Sequence, residues 1–294
     1  MTDHTVHVPI MPVEIAELLA VGPGKTIVDG TFGGGGHTRH FLSLMSNEDR
    51  VIALDRDPAP IEIGKQIFGD RIEGVCANYA DLPEVLSELN VDLVDGILLD
   101  LGLSSDQLED STRGFSYHAD GPLDLRFNDQ QGTPAWKLLE KLNEKRMADL
   151  IYEFGEERYS RVIARRICEL RKTRPIRTAK ELSDLLHRCV PRSKNHSINP
   201  ATRTFQALRI AVNEELKWLQ VALRRLPDTL RPGGRLAIIS FHSLEDRIVK
   251  QAFASDERLR VITRKPRRPS ESEVDSNPRS RSAKLRVAER IESP

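Results

Sequence analysis

Four consecutive glycines, Gly33, Gly34, Gly35 and Gly36, sit between the short apolar run Thr26-Ile27-Val28 and a stretch with helical spacing at residues 39–45. Strand, glycine turn and helix start in that order constrain the fold more than any other segment. Glycine has no Cβ, so a ligand can lie against the backbone. The helix that follows offers unpaired N–H groups and the positive end of its dipole. A second apolar run, Val51-Ile52-Ala53-Leu54, ends in Asp55 about 20 residues further on. Nucleotide-binding folds place there the carboxylate that accepts hydrogen bonds from ribose hydroxyls.

The dinucleotide pattern G-x-G-x-x-G is incomplete: counted from Gly33, Gly35 takes the second place and Thr38 the third. Asp29, at the end of the first predicted strand, would repel a pyrophosphate. It suits a ligand with a cationic amino-acid end, as in S-adenosylmethionine. The run from Asp29 resembles the D-x-G-x-G-x-G loop of methyltransferases, with Thr31 where that pattern has glycine. The plainer role for Asp29 is a helix or turn cap.

Further strands are predicted at residues 70–76 and 94–101, with helical spacing at 58–68 and 82–89. Strand and helix alternate as in a doubly wound α/β sheet. The next strand of that quality, 235–240, follows the turn Arg231-Pro232-Gly233-Gly234 and an amphipathic helix from about 204 to 226. The residues between are too many for a loop and too apolar for disorder, which predicts an inserted helical domain. Its helices are expected near 136–142, 147–154, 159–170 and 179–189, the last capped by Thr178. The expected plan is a Rossmann-like sheet domain in two parts, 1–106 and 202–294, interrupted by a helical substrate-recognition domain at 107–201. The second part adds a helix at 244–253 and strands at 259–263 and 283–288. Between those strands lies a basic loop rich in Pro, Ser and Arg, 265–282, whose composition argues against fixed structure unless a partner orders it.

The formal net charge of zero conceals a separation: residues 1–157 hold 12 basic and 29 acidic side chains, and the remainder holds 32 basic and 15 acidic. Within the basic half, 158–209 carries a net +11 and 258–294 a net +6. Arginine dominates, with apolar residues interleaved, so nucleic acid is the expected partner; a solvated face is the alternative. No run approaches a membrane span, and neither a basic leader nor a cleavage signal is visible, so a cytoplasmic protein with no membrane partner is expected. Cys76, Cys168 and Cys189 form neither a CxxC pair nor a zinc set, in keeping with a reducing compartment. The pairs His4/His7 and His37/His40 lack further ligands, and no metal site is expected.

A doubly wound sheet binds ligands beyond the carboxyl ends of its strands, so Asp29, Asp55, Asp100 and the segment after Ser240 should meet in one crevice. Asp100 is followed by Gly102 and by the hydroxyls of Ser104 and Ser105. Amino-group methyltransferases carry here an acidic or amide residue, then two prolines and an aromatic; the prolines and the aromatic are absent. An exocyclic base amine is a poor nucleophile because its lone pair is spread into the ring. It needs in-line placement and an acceptor for its N–H. Asp100 and Ser104 are candidates for that catalytic role, although cofactor binding is favoured for Asp100. Phe241 is placed to stack on a base and His242 to take a proton; the alternative is an ordinary helix start capped by Ser243. Phe115 and Tyr117, in the segment Arg113-Gly114-Phe115-Ser116-Tyr117, read as part of a lid over a base or as simple turn chemistry. Arg165 and Arg166 are candidate substrate contacts in the basic run.

Assembled, these segments resemble the MraW family, the bacterial small-subunit ribosomal RNA cytosine N4-methyltransferases. The resemblance is carried by His7-Val8-Pro9-Ile10, residues 29–37, Leu54-Asp55-Arg56-Asp57, 96–105, 109–126, Gly155-Glu156-Glu157-Arg158-Tyr159, 200–206, 239–250 and 277–288, nearly the whole chain. It implies methyl transfer from S-adenosyl-L-methionine to N4 of a cytidine in the decoding region of 16S ribosomal RNA, free or in the small ribosomal subunit. It also implies a cofactor held by Gly34, Gly35, Gly36, His37, Asp55, Tyr79, Asp100 and Gln107. Tyr79 keeps an aromatic face where the family usually has phenylalanine. A homodimer is compatible with the sequence and not required by it. Two other readings stay open: an RNA-binding assembly factor with an idle pocket, suggested by the missing prolines, and a nicotinamide oxidoreductase, suggested by the glycine loop alone.

Overall fold

The computed structural model describes residues 8–104, 107–108, 110–117, 120–191 and 199–292; His4, His7 and Ser105 lie outside them. The chain divides into two compact units, Met1–Ser104 with Leu216–Pro294, and Ser105–Glu215.

The first unit is built on a seven-stranded sheet: β1 (Ile27–Asp29), β2 (Val51–Asp55), β3 (Ile72–Cys76), β4 (Val94–Asp100), β5 (Leu230–Ser240), β6 (Leu259–Val261) and β7 (Lys284–Arg290). Their order across the sheet is β3-β2-β1-β4-β5-β7-β6. Strands β1 to β5 are parallel, and β7 is antiparallel to both of its neighbours. The apolar runs are nearly continuous because both faces are covered, and the two-residue period deals alternate side chains to two cores. Ile27, Val51, Leu98 and Ile239 pack with Ile15 and Leu19 of helix Pro12–Leu19 and with Phe41. Val28, Ile52, Leu99 and Ile238 pack with Leu86, with Leu219 and Leu223 of helix Glu215–Arg225, and with Phe253.

Several expectations change in detail. Helix Pro12–Leu19, not anticipated, starts at a proline whose fixed φ suits a first helical turn. The expected turn at 231–234 lies inside β5, where the register with β4 shifts between Val94 and Gly96 and Gly233 takes φ 81°. The single helix expected from about 204 to 226 is two, Thr202–Asn213 and Glu215–Arg225, separated by Glu214 at φ 51°. Apolar spacing runs through the break, so periodicity alone did not reveal it. The loop 265–282 contains helix Glu271–Ser276, capped by the Ser270 side chain, and a 3-10 turn at Pro278–Ser282. Glu273 Oε1 accepts from Met11 N at 2.8 Å and Ser280 is fully buried, so local caps and long-range bonds order a segment whose composition reads as disordered.

The second unit holds helices Ala135–Lys141, Glu144–Gly155, Ser160–Leu170, Ala179–Cys189 and Thr202–Asn213. Thr178 and Glu181 form a reciprocal capping box at the fourth. Gly155 lets helix Glu144–Gly155 approach Thr202–Asn213: a Cβ there would stand 2.5 Å from the Arg203 carbonyl oxygen. The Asn213 amide donates to Leu125 O at 2.7 Å and its oxygen accepts from Phe127 N at 2.8 Å, fixing a loop in which Leu125 has φ 65°. Among the described residues no helix is long and apolar enough to cross a membrane.

Candidate active site

β1 lies between β2 and β4, and the chain winds outward from it in both directions. Such a switch point opens a crevice beyond the carboxyl ends of the strands. Asp29 closes β1, Asp55 closes β2 and Asp100 closes β4. The expected meeting of the three acids is present. Asp100 Oδ2 stands 3.4 Å from Nε2 of His37, in the first turn of helix Gly36–Leu44, and Asp29 is buried beside them.

Backbone bonds shape the glycine loop. Gly30 N donates to Leu98 O at 2.9 Å and Phe32 N to Leu54 O at 2.8 Å, stitching the turn to β4 and β2. Gly33 N donates to Asp55 Oδ2 at 2.8 Å, and Asp57 N to Asp55 Oδ1 at 2.9 Å. Gly35 is the N-cap of helix Gly36–Leu44 at φ 70°, where a Cβ would lie 2.8 Å from the Phe32 ring and 2.9 Å from Phe68. Gly30 has a packing reason too: its Cβ would lie 2.5 Å from Leu99 Cδ2 and 3.3 Å from Tyr79 Cβ, which sets Tyr79 beside the loop. Ser104 lies against Gly33, 3.4 Å from where a Cβ would stand. Thr31, the departure from the glycine pattern, accepts from Asp100 N through its hydroxyl at 2.6 Å. It ties the loop to the end of β4, a role glycine cannot fill.

The charges do not cancel. Burial pushes the Asp29 carboxyl up, against the pull of His37 and of hydrogen bonds from Thr38 and Thr31, and Asp100 adds repulsion. Burial pushes Asp55 up to about 6, against backbone bonds from Asp57 and Gly33, with further repulsion from Asp57 and Asp29. Three acids sharing a low-dielectric crevice favour a cationic ligand. Oδ1 of Asp100 and both ring nitrogens of His37 are buried with no hydrogen-bond partner among the described residues. Each such atom costs about 1–3 kcal/mol unless a ligand satisfies it. The set could hold S-adenosylmethionine, with acids available to the sulfonium and amino group, Asp55 lone pairs to the ribose, Tyr79 to the adenine face and the helix start to the carboxylate.

At the end of β5, Phe241 packs on Gly102, whose φ is 110° and whose Cβ would stand 3.3 Å from that ring. His242, rather than the alternative Ser243, caps helix Ser243–Ser255: its Nδ1 accepts from Glu245 N at 3.4 Å, and Glu245 Oε2 accepts from Phe241 N at 2.9 Å. The His242 Nε2 lies 3.1 Å from Glu245 Oε1. The cap thus engages Nδ1, and Nε2 is the ring nitrogen beside Glu245.

The remaining expected residues lie in the second unit. Gln107 is buried; Phe115, 4% exposed, stacks on Phe127 with centroids 5.9 Å apart; Tyr117 meets Phe205 edge-on. Arg165 and Arg166 are exposed; Arg165 lies 3.7 Å from Glu144, and Arg166 donates to its helix neighbour Glu169 at 2.9 Å. Arg171 of the same run points inward and donates to the carbonyls of Leu139, Glu140 and Leu142, closing the end of helix Ala135–Lys141. Thr31, Thr38 and Glu245 also build the site. Thr31 carried a signal, standing where glycine is usual; Thr38 and Glu245 are visible only through their tertiary partners.

The description "MraW methylase family" matches residues 4–291. A ribosomal RNA small subunit methyltransferase H of Rhodopirellula baltica is 52% identical, over 98% of this chain and 92% of that protein. One of the same name from Synechococcus elongatus is 50% identical, over 97% and 95%. Among solved structures, an rRNA methylase from Streptococcus thermophilus aligns over 95% of either chain at 11% identity with a TM-score of 0.44, a likeness too distant to carry an argument. The chain belongs to the MraW methylase family, whose members are S-adenosylmethionine-dependent methyltransferases.

Proposed function

We propose that the chain transfers the methyl group of S-adenosylmethionine to N4 of a cytidine in the decoding region of 16S ribosomal RNA. The observation that carries the reading is the acidic crevice of Asp29, Asp55 and Asp100, with His37 buried beside Asp100, at the switch point of a chain half identical to proteins named for small-subunit ribosomal RNA. The bound cofactor supplies an electrophilic methyl on a cationic sulfur. Asp100, held by Thr31, offers Oδ1 to the cofactor or to the amine N–H. Ser104, one turn of loop away, offers a second acceptor. Phe241, seated on Gly102, presents an aromatic face at the mouth, and His242 holds the turn beneath it. Exposed arginines of the second unit, Arg161, Arg165 and Arg166 among them, supply charge for the phosphate backbone.

The test is to incubate the protein with labelled S-adenosylmethionine and small subunits lacking the modification, then digest the RNA to nucleosides. Label in N4-methylcytidine from one position is expected. Label in another nucleoside, or in no RNA at any stage of subunit assembly, overturns the reading.

A further inference from the structure

The segment Arg264-Lys265-Pro266-Arg267-Arg268 follows β6. Neighbouring cations have structural work: Arg258 pairs with Asp256 and Asp228, Arg260 with Glu289, Lys284 and Arg286 with Asp246, and Arg290 with Asp228. Arg264, Lys265, Arg267 and Arg268 are exposed and pair with no acid among the described residues. Three of them line a cavity of about 390 Å³, together with Leu18, Ile262, Thr263 and Pro266. The lining contains cations and apolar surface and no acid.

The loop is held firmly. Arg267 exchanges both backbone hydrogen bonds with Leu285 at 2.9 Å, and the buried Thr263 hydroxyl accepts from Val287 N at 2.8 Å. Pro266 and Pro269 stiffen it further. Its register places it: Arg267 is opposite Leu285, Leu285 opposite Ile239, and Ile239 opposite Asp100. Arg267 and Asp100 thus lie in one row across the sheet, three strand spacings or about 14 Å apart, at the edge where β4 and β5 end. That separation matches a few nucleotides of single-stranded RNA.

We propose that Arg264, Lys265, Arg267 and Arg268 form a phosphate clamp on this unit, gripping the RNA strand a few nucleotides from the target base while that base enters the crevice beside Asp100. The clamp rests on the proposed RNA substrate. Its preformed backbone keeps the ordering cost of binding low, and the apolar floor of Leu18, Ile262 and Pro266 takes the sugar edge.

The test compares wild type with R264Q/K265Q/R267Q/R268Q. Affinity for a short single-stranded RNA with the cytidine at its centre is measured at several salt concentrations, with S-adenosylhomocysteine binding and thermal melting as controls. Each lost phosphate contact lowers the salt slope by about 0.7 and the affinity at 0.1 M salt by about fivefold. A total slope loss of two or more is expected. S-adenosylhomocysteine affinity and melting should stay as in wild type, and the all-lysine variant R264K/R267K/R268K should keep the slope. Truncating the RNA to the cytidine dinucleotide should abolish the difference between variant and wild type. An unchanged slope, or a loss that persists on the dinucleotide, overturns the clamp. If the quadruple variant melts early, R264Q and R267Q singly should each remove about 0.7 of slope, and no loss in either overturns it. Because the readout is binding, it stands apart from the label test: RNA that binds through this loop without being methylated would sink the proposed function and leave the clamp.

Discussion

Replacing Asp55 by asparagine sets two effects against each other, and pH separates them. In the folded protein the Asp55 carboxyl titrates at about 6, against an ordinary value of 3.8. A folded value raised by about two units means that the ionised carboxylate destabilises the native state by about 3 kcal/mol, in full above pH 6 and not at all below pH 4. Wild-type stability therefore contains a term lost as pH rises from about 4 to about 6. Asparagine removes it. The same substitution turns one acceptor of a backbone N–H, from Gly33 at 2.8 Å or Asp57 at 2.9 Å, into a donor, which costs about 1–3 kcal/mol at every pH. D55N should then be about 0–2 kcal/mol more stable than wild type at pH 8 and less stable by about 1–3 kcal/mol at pH 4. Denaturant titrations between pH 4 and 8 read the difference directly. Cofactor binding should follow the opposite course: wild-type affinity for S-adenosylhomocysteine, measured calorimetrically, should fall about fivefold from pH 6 to pH 5 as the ribose acceptor is neutralised, and D55N should be weak and flat. Parallel stability curves for the two proteins would refute the argument that burial raises this carboxyl.

Three further outcomes follow from the packing and the charges. Gly35→Ala forces a Cβ at φ 70° to within 2.8 Å of Phe32, and should lower stability by about 2–4 kcal/mol and weaken S-adenosylhomocysteine binding; a melting temperature equal to wild type would contradict the cap geometry. Asn213→Ala removes both bonds to the Leu125–Phe127 turn and should cost about 2–4 kcal/mol by denaturant titration, with cofactor affinity unchanged. Neutralising Arg161, Arg165, Arg166 and Lys172 together should flatten the salt dependence of RNA binding, whereas neutralising Arg171 should instead destabilise the fold, since it closes a helix end. An unchanged salt slope would assign the exposed four to a solvated face.

How far the site was readable depends on what each residue answers to. Asp29, Asp55 and Asp100 were readable because each closes an apolar run, and a carboxylate at the end of a buried parallel strand has few other uses. The tie between Thr31 and Asp100 spans 69 residues and has no local signature. His242 shows the same limit at short range: Ser243 offers a hydroxyl as the cap, but the buried Glu245 accepts from the two N–H groups ahead of the helix and the imidazole takes the capping place. Phe115 reads as part of a lid over a base or as turn chemistry and is stacked on Phe127, because nothing in a linear pattern distinguishes a ring that covers a ligand from one that covers a neighbouring ring.

The sequence by itself determined the parallel α/β architecture, the place of the glycine turn and the separation of acidic from basic halves. These follow from periodicity, missing side chains and counted charge, all local quantities. Tertiary structure alone decided that residues 265–282 are ordered, that Arg171 is structural while Arg264, Lys265, Arg267 and Arg268 are unmatched, and that Arg267 shares a row with Asp100. Whether a charge is spent on a neighbour or left for a ligand depends on partners brought together by folding, and those partners are tens to hundreds of residues away along the chain.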